Sequence, residues 1–194
     1  KANFKDFAVK KGYRFTEFPL DYQKRSGLGS YVDRLDKLLY RDEYQKDIGL
    51  GIDIKVYDDI QDLERWMNDC HNSTSSAKYY ASYCWAWKSR RNPTELDIKI
   101  PEINPVFQKQ WNPWDDQYRW YLDSIDKVGC IYTAQGLGFD YVGFIWSDDL
   151  VWRKDHWEEN IQLVTKFDSQ LRGSINANTN KLDLLLNIYR VMLT

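Results

Sequence analysis

The period of apolar positions changes several times along the chain, and each change marks an element. Over residues 13–20 apolar and polar residues alternate, which predicts a short strand that Pro19 confines to a sheet edge or ends. Residues 23–27 read as a loop. From Ser30, a residue able to cap a helix, Tyr31, Leu35, Leu38 and Leu39 share one helical face, and Gly49 and Gly51 stop the run. Residues 52–57 alternate again and are rich in β-branched side chains, predicting a second strand. Asp58 or Asp59 can cap the next helix, striped by Ile60, Leu63, Met67 and Cys70. After a polar loop at 72–76, residues 79–85 are apolar almost throughout, as in a strand buried on both faces.

Residues 88–126 break every period. Pro101, Pro105, Pro113 and scattered tryptophans interrupt them, although Ile98, Ile100 and Ile103 suit a short hairpin. This stretch reads as an irregular, Trp-rich insertion within a single domain covering residues 1–194. Periodicity returns in two buried strands, residues 128–133 and 139–146, joined by a Gly-rich turn. Residues 147–178 read as a polar excursion with an amphipathic strand at 161–164. Leu182, Leu185, Leu186, Tyr189, Met192 and Leu193 then mark a last helix. Strands alternating with helices predict an α/β domain, a mainly parallel sheet flanked by helices.

Composition narrows the function. A net charge of −2 gives no chain-wide affinity for polyanions, so any such site is local. No apolar run reaches the ~18 residues of a membrane span, no signal-peptide pattern argues for secretion, and no membrane partner is expected. Three widely spaced cysteines (Cys70, Cys84, Cys130) fit a reduced, cytoplasmic protein. Two histidines, His71 and His156, cannot make a His-rich zinc site; both lie in polar stretches and read as surface residues, and no metal site is expected. The glycines around Gly27, Gly49 and Gly136 lack the Lys-Ser/Thr of a phosphate loop, so this chain alone is not expected to hydrolyse ATP. The start at Lys1 and the stop at Thr194 inside a periodic apolar run predict a piece of a longer protein.

Three constellations could carry chemistry. The first is the turn at residues 132–140, where Gly136 and Gly138 let backbone N–H groups face an anion and Thr133 and Gln135 add side-chain donors. The alternative is a tight turn capped by Thr133. The second sets Lys88, Arg90 and Arg91 beside Trp85 and Trp87, with Trp111, Trp114, Arg119 and Trp120 following. Aromatic platforms beside cations hold single-stranded nucleic acid. The alternative is a Trp-filled core with snorkelling cations, and Asp115, Asp116, Asp123 and Asp126 would oppose a phosphate backbone on the same face. The third is Glu95-Leu-Asp97-Ile-Lys99, echoed by Asp53-Ile-Lys55; such strings occur in metal-dependent nucleases and on exposed strand faces alike. Asp148-Asp149 can cap a turn or bind a cation.

The run Val-Gly-Cys-Ile-Tyr-Thr-Ala-Gln-Gly-Leu-Gly-Phe-Asp-Tyr-Val-Gly, residues 128–143, resembles motif V of superfamily-one helicases. It is most similar to the version in a conserved bacterial family of helicase-like P-loop proteins, labelled ATP/GTP-binding and related to the helicase half of Schlafen proteins. There the pattern is roughly G-C-[I/V]-H-T-x-Q-G-L-E-F-D-Y-[I/V]-G. Residues 18–27 resemble a segment with L-x-x-Q-[F/Y]-R, residues 81–87 a family strand, and residues 187–194 the opening of motif VI. The resemblance implies a RecA-like C-terminal lobe of a P-loop NTPase, with ATP or GTP and magnesium bound in the parent protein and no cofactor on the fragment alone. It makes Arg25 the catalytic residue that reaches the γ-phosphate, with Gln23 beside it, and the N-terminal P-loop lobe the partner. Nucleotide contacts then fall to Gln23, Arg25, Thr133, Gln135 and Gly136. Single-stranded nucleic acid would meet Thr133, Lys88, Arg90, Arg91 and Trp85. Tyr132 stands where the family has His, Gly138 where it has Glu, and Thr194 precedes the motif VI arginine. The alternative functions are a Trp-rich module that binds carbohydrate or peptide, and a docking scaffold.

Overall fold

Ala77–Ala81 (β1) is the strand on which the domain is centred: all five of its residues are buried, as in a parallel strand covered on both faces. The computed structural model describes residues 4–16, 29–40, 52–73, 76–101, 105–112, 125–134 and 137–194. With Ile98–Ile100 (β2), Phe107–Trp111 (β3), Lys127–Gly129 (β4) and Tyr141–Ile145 (β5), β1 forms a sheet of order β2-β3-β4-β1-β5. Tyr79 lies opposite Val128 of β4 and Gly143 of β5, both pairings parallel. β3 and β4 are also parallel, while β2 and β3 form an antiparallel pair.

Alternation along the strands directs two cores to opposite faces. On the Tyr79 side lies Ile60–Ser73 (α3), whose Met67 and Cys70 are buried with Val128, Ile145 and Trp111. Gln61 N donates to Asp59 Oδ1 (2.8 Å), the start that the sequence predicts. α3 sits so close to β5 that a Cβ on Gly143 would lie 2.9 Å from Met67 Sδ and 2.9 Å from a Tyr79 ring carbon. Lys109 of β3, also buried, reaches Glu64 of α3 at 3.0 Å. On the Phe144 side, Gly29–Tyr40 (α2) and Lys181–Leu193 (α7) join Leu35, Leu39, Leu186, Tyr189 and Met192 into a second core. Arg190 Nη2 donates to Asp36 Oδ2 (3.0 Å) and Tyr40 Oη to Asn187 Oδ1 (2.7 Å), so the two helices are also tied by polar bonds.

Several predicted elements change. Residues 13–16 are not a strand. They leave Phe4–Lys10 (α1) through Gly12 (φ 74°), where Gly12 N donates to Val9 O (3.0 Å) and Tyr13 N to Ala8 O (2.9 Å), a glycine-closed helix end. Residues 17–20 and the stop at Gly49 and Gly51 lie outside the described residues. Residues 52–57 are not a strand either. No neighbouring strand offers them a ladder among the described residues, and Ile54 and Val56 stand 59% and 88% exposed. α3 runs on to Ser73, taking the first residues of the predicted loop. Residues 98–100 and 107–111, read as part of an irregular excursion, belong to the sheet, with Ile98, Phe107 and Trp111 fully buried; their few residues gave too short a period to stand out. The strand at 128–133 ends at Gly129 and turns into a short helix, Ile131–Ala134 (α4), because Cys130 N donates to Thr133 Oγ1 (2.7 Å) and closes the turn. The polar excursion holds a hairpin, Leu150–Arg153 (β6) and His156–Glu159 (β7), and two helices, Ile161–Phe167 (α5) and Ser169–Ser174 (α6). The expected strand at 161–164 is α5: Ile161 and Val164 are three apart and face the same cluster with Leu171.

Candidate functional site

The parallel strands β1, β3, β4 and β5 all end on one edge of the sheet, the edge where open α/β folds place ligands. β1 sends its connection towards β2 at one end, and its neighbour β4 sends its connection to β5 at the other. The loop after β1 carries Tyr83, Trp85, Lys88, Arg90 and Arg91; the turn after β4 carries Tyr132 and Thr133.

Between these loops lies an aromatic cluster with one buried carboxylate. The Tyr83 ring meets Trp111 edge-on at 4.5 Å and Tyr132 at 5.4 Å. Tyr132 Oη donates to Asp168 Oδ2 (2.7 Å). The other oxygen, Asp168 Oδ1, accepts from Leu171 N (2.9 Å), capping α6. Burial holds the Tyr83 hydroxyl up at about 12; burial, and then the bond to Asp168, raise Tyr132 as well. Asn112, at φ 50°, accepts from Cys130 Sγ at 3.2 Å and so fixes the end of β3 against the start of the turn. Thr133 Oγ1 is engaged locally, accepting from Cys130 N (2.7 Å) and donating to Cys130 O (3.1 Å).

The cationic loop has its own anchor. Asp97 Oδ1 accepts from Lys88 N (2.7 Å) and Ser89 N (2.8 Å), and Asp97 Oδ2 from Trp111 N (2.9 Å). Both oxygens of this buried carboxylate are therefore engaged by backbone, so Asp97 is an internal anchor, which neither reading of Glu95–Lys99 foresaw. Lys88, Arg90 and Arg91 are exposed, and the Arg90 guanidinium lies 5.1 Å from the centre of the Trp87 ring. Trp85 and Trp87 are half-buried and pack against the core, and Trp111 is buried outright. Asp126 precedes β4 at the opposite edge of the sheet and does not share the face of the cations. Gln23, Arg25, Gln135, Gly136, Trp114, Arg119, Trp120, Asp115, Asp116 and Asp123 lie outside the described residues.

A second polar group sits beyond β1 and β5. Asp149 Oδ1 accepts from Ser82 Oγ (3.0 Å) and Tyr189 Oη (2.7 Å), while Oδ2 is buried with no partner. Burial raises the Asp149 carboxyl above its ordinary value. The Asp149 side chain is thus a buried acceptor, not the turn cap that its sequence suggests. Cys84 Sγ donates to Ser147 Oγ (3.0 Å), and burial pushes the Cys84 and Cys130 thiols up to about 11. Both stay protonated near neutrality and are poor nucleophiles. In the segment resembling motif VI, Asn187 and Arg190 face α2 and Tyr189 faces Asp149, so all three are used structurally.

Sequence reading missed Tyr83, Asn112 and Asp168, and singled out Asp97 for a charged string and not for the anchor that it is. Only Asp168 carried a signal, as an N-cap residue three positions before buried Leu171. A family model described as Schlafen group 3, DNA/RNA helicase domain, matches the chain over residues 1–194. No curated protein and no solved structure matches it.

Proposed function

Because the chain belongs to the Schlafen group 3 DNA/RNA helicase-domain family, we propose that it is the C-terminal, RecA-like lobe of a two-lobed nucleotide-driven protein that acts on nucleic acid. The observation that carries this reading is the place of the motif-V-like turn, which leaves the carboxyl end of β4 beside β1. The described residues fit one wall of a nucleotide cleft and not a whole pocket. Thr133 Oγ1 bonds to Cys130, and a side chain added at Gly138 would meet open space, so the turn has room beside it on that side.

In this reading the N-terminal lobe of the same protein carries the phosphate loop and holds ATP or GTP with magnesium, which supplies the transferable phosphoryl group. Arg25 projects to the γ-phosphate: a guanidinium stays charged and binds phosphate oxygens in pairs. Gln23 positions it. Thr133, Gln135 and Gly136 are the nucleotide contacts of the motif-V-like turn. Lys88, Arg90 and Arg91 meet the phosphates of a single strand, with Trp85 supporting the loop from beneath. The protein works in the cytoplasm, where its three buried thiols stay reduced.

The test uses the protein that joins this chain to its phosphate-loop lobe. Arg25→Ala is expected to lower kcat for nucleotide hydrolysis by about 10³-fold or more with little change in KM, as for other arginine fingers. Unchanged hydrolysis overturns the role of Arg25, and a parent protein without hydrolysis overturns the motor reading.

A further inference from the structure

Beyond β5 the chain builds a cleft of about 390 Å³ that the motor reading does not use. Three of its walls are Trp146, Trp152 and Trp157, and Asp148 lines it as well. The rings are fixed from behind. Trp157 Nε1 donates to Leu38 O (3.0 Å) and Trp146 Nε1 to Leu150 O (2.6 Å). Trp146 and Trp157 are stacked at 5.4 Å and 20°, while Trp152 stands at 79° to Trp157, so the rings form a corner. Trp146 and Trp152 nevertheless remain 38% and 43% exposed. Trp146 is packed between Trp157 and Tyr189, so Trp152 is the most open of the three; a partly exposed indole set against fixed neighbours offers a surface of negative potential at low entropic cost.

The charge pattern selects the occupant. In the β6–β7 pairing, Trp152 lies opposite Trp157 and Leu150 opposite Glu159, so these four share one face of the hairpin. The alternate pairs, Val151 with Glu158 and Arg153 with His156, share the other. The tryptophan face thus carries Glu159, borders Asp148, and bears no cation of the hairpin strands. Among the described residues no basic side chain lines the cleft.

We infer that this cleft binds a cationic side chain, a guanidinium or ammonium presented by a basic peptide segment, held over the indoles and neutralised by Asp148. Its carboxylates repel a nucleic-acid backbone. The inference stands apart from the motor reading and survives its failure.

The test titrates the 194-residue chain, labelled with nitrogen-15, with a capped peptide bearing two arginines. Parallel titrations use its lysine and citrulline twins and an oligothymidylate. The arginine or lysine peptide is expected to produce saturable shifts of the indole N–H resonance that is lost in Trp152→Phe. The citrulline twin produces none. Trp152→Ala, at an exposed position, weakens binding about 2- to 5-fold. Asp148→Asn weakens it about 3- to 5-fold and flattens its salt dependence. Equal shifts from the citrulline twin, shifts from the oligothymidylate alone, no shift at all, or unchanged affinity in both variants would each overturn the inference.

Discussion

Asp97→Ala removes a single carboxylate and leaves three backbone donors without a partner: Lys88 N, Ser89 N and Trp111 N. The three are not equivalent. Trp111 is buried, so its N–H finds no water and its loss costs ~1–3 kcal/mol. Lys88 is exposed and Ser89 half-buried, so water replaces much of what they lose, at ~0.5–1 kcal/mol each. The expected total is ~3 kcal/mol, a large share of the ~5–15 kcal/mol that holds a domain folded. With a urea m-value of ~2 kcal/mol/M, the midpoint falls by about 1.5 M. Asp97→Asn keeps one acceptor oxygen and turns an amide donor towards the remaining N–H, so it falls between the two. Amide hydrogen exchange supplies the specific signature: Lys88, Ser89 and Trp111 exchange faster, while amides in the core of α7 slow or quicken only with global stability. A loss under ~1 kcal/mol in Asp97→Ala, or unchanged protection at Trp111, would refute the claim that this carboxylate anchors the cationic loop.

Two further outcomes follow from the packing and the buried acid. Gly143→Ala drives a methyl into Met67 and Tyr79, each 2.9 Å from the new Cβ, and should destabilise the chain by ~1–3 kcal/mol in thermal or urea unfolding; a change within ~0.5 kcal/mol would mean that α3 can back away from the sheet. For Asp149, burial raises the folded carboxyl above its unfolded value, so its favourable contribution is complete below the unfolded value of about 3.9 and is lost as pH rises through the folded one. Asp149→Asn removes that titration. The stability of the wild-type chain should therefore fall, relative to the variant, as pH rises from about 4, and parallel profiles from pH 4 to 8 would exclude it.

Long periodic segments were legible from residue order alone. α2, α3 and α7 repeat their apolar residues over nine or more positions, and each begins within a residue or two of where its stripe begins. β1 and β5 were legible as apolar runs, although each proved shorter than its run. The failures share a cause: what decided them lies far away in sequence. Residues 52–57 alternate as a strand does, yet a strand exists only with a partner. Residues 107–111 scarcely alternate, yet β4, contributed much later in the chain, makes them a strand. The candidate site divides the same way. The turn after β4 could be found from its glycines and from a resemblance. Asp97 and Asp149 stood out as acidic strings, but their roles could not be read, because an aspartate buried among backbone donors or hydroxyls reads like any surface aspartate until its surroundings are known.

Tyr132 has one consequence beyond its hydrogen bond. The motif that this turn resembles carries a histidine there, and an imidazole changes charge between about pH 5 and 8. The phenol does not: burial and Asp168 hold its proton more firmly than in free tyrosine. At this position the turn therefore carries a group that stays neutral across the range in which an imidazole changes charge. A change of acidity in that range leaves the Tyr132 phenol protonated, with its proton still available to Asp168.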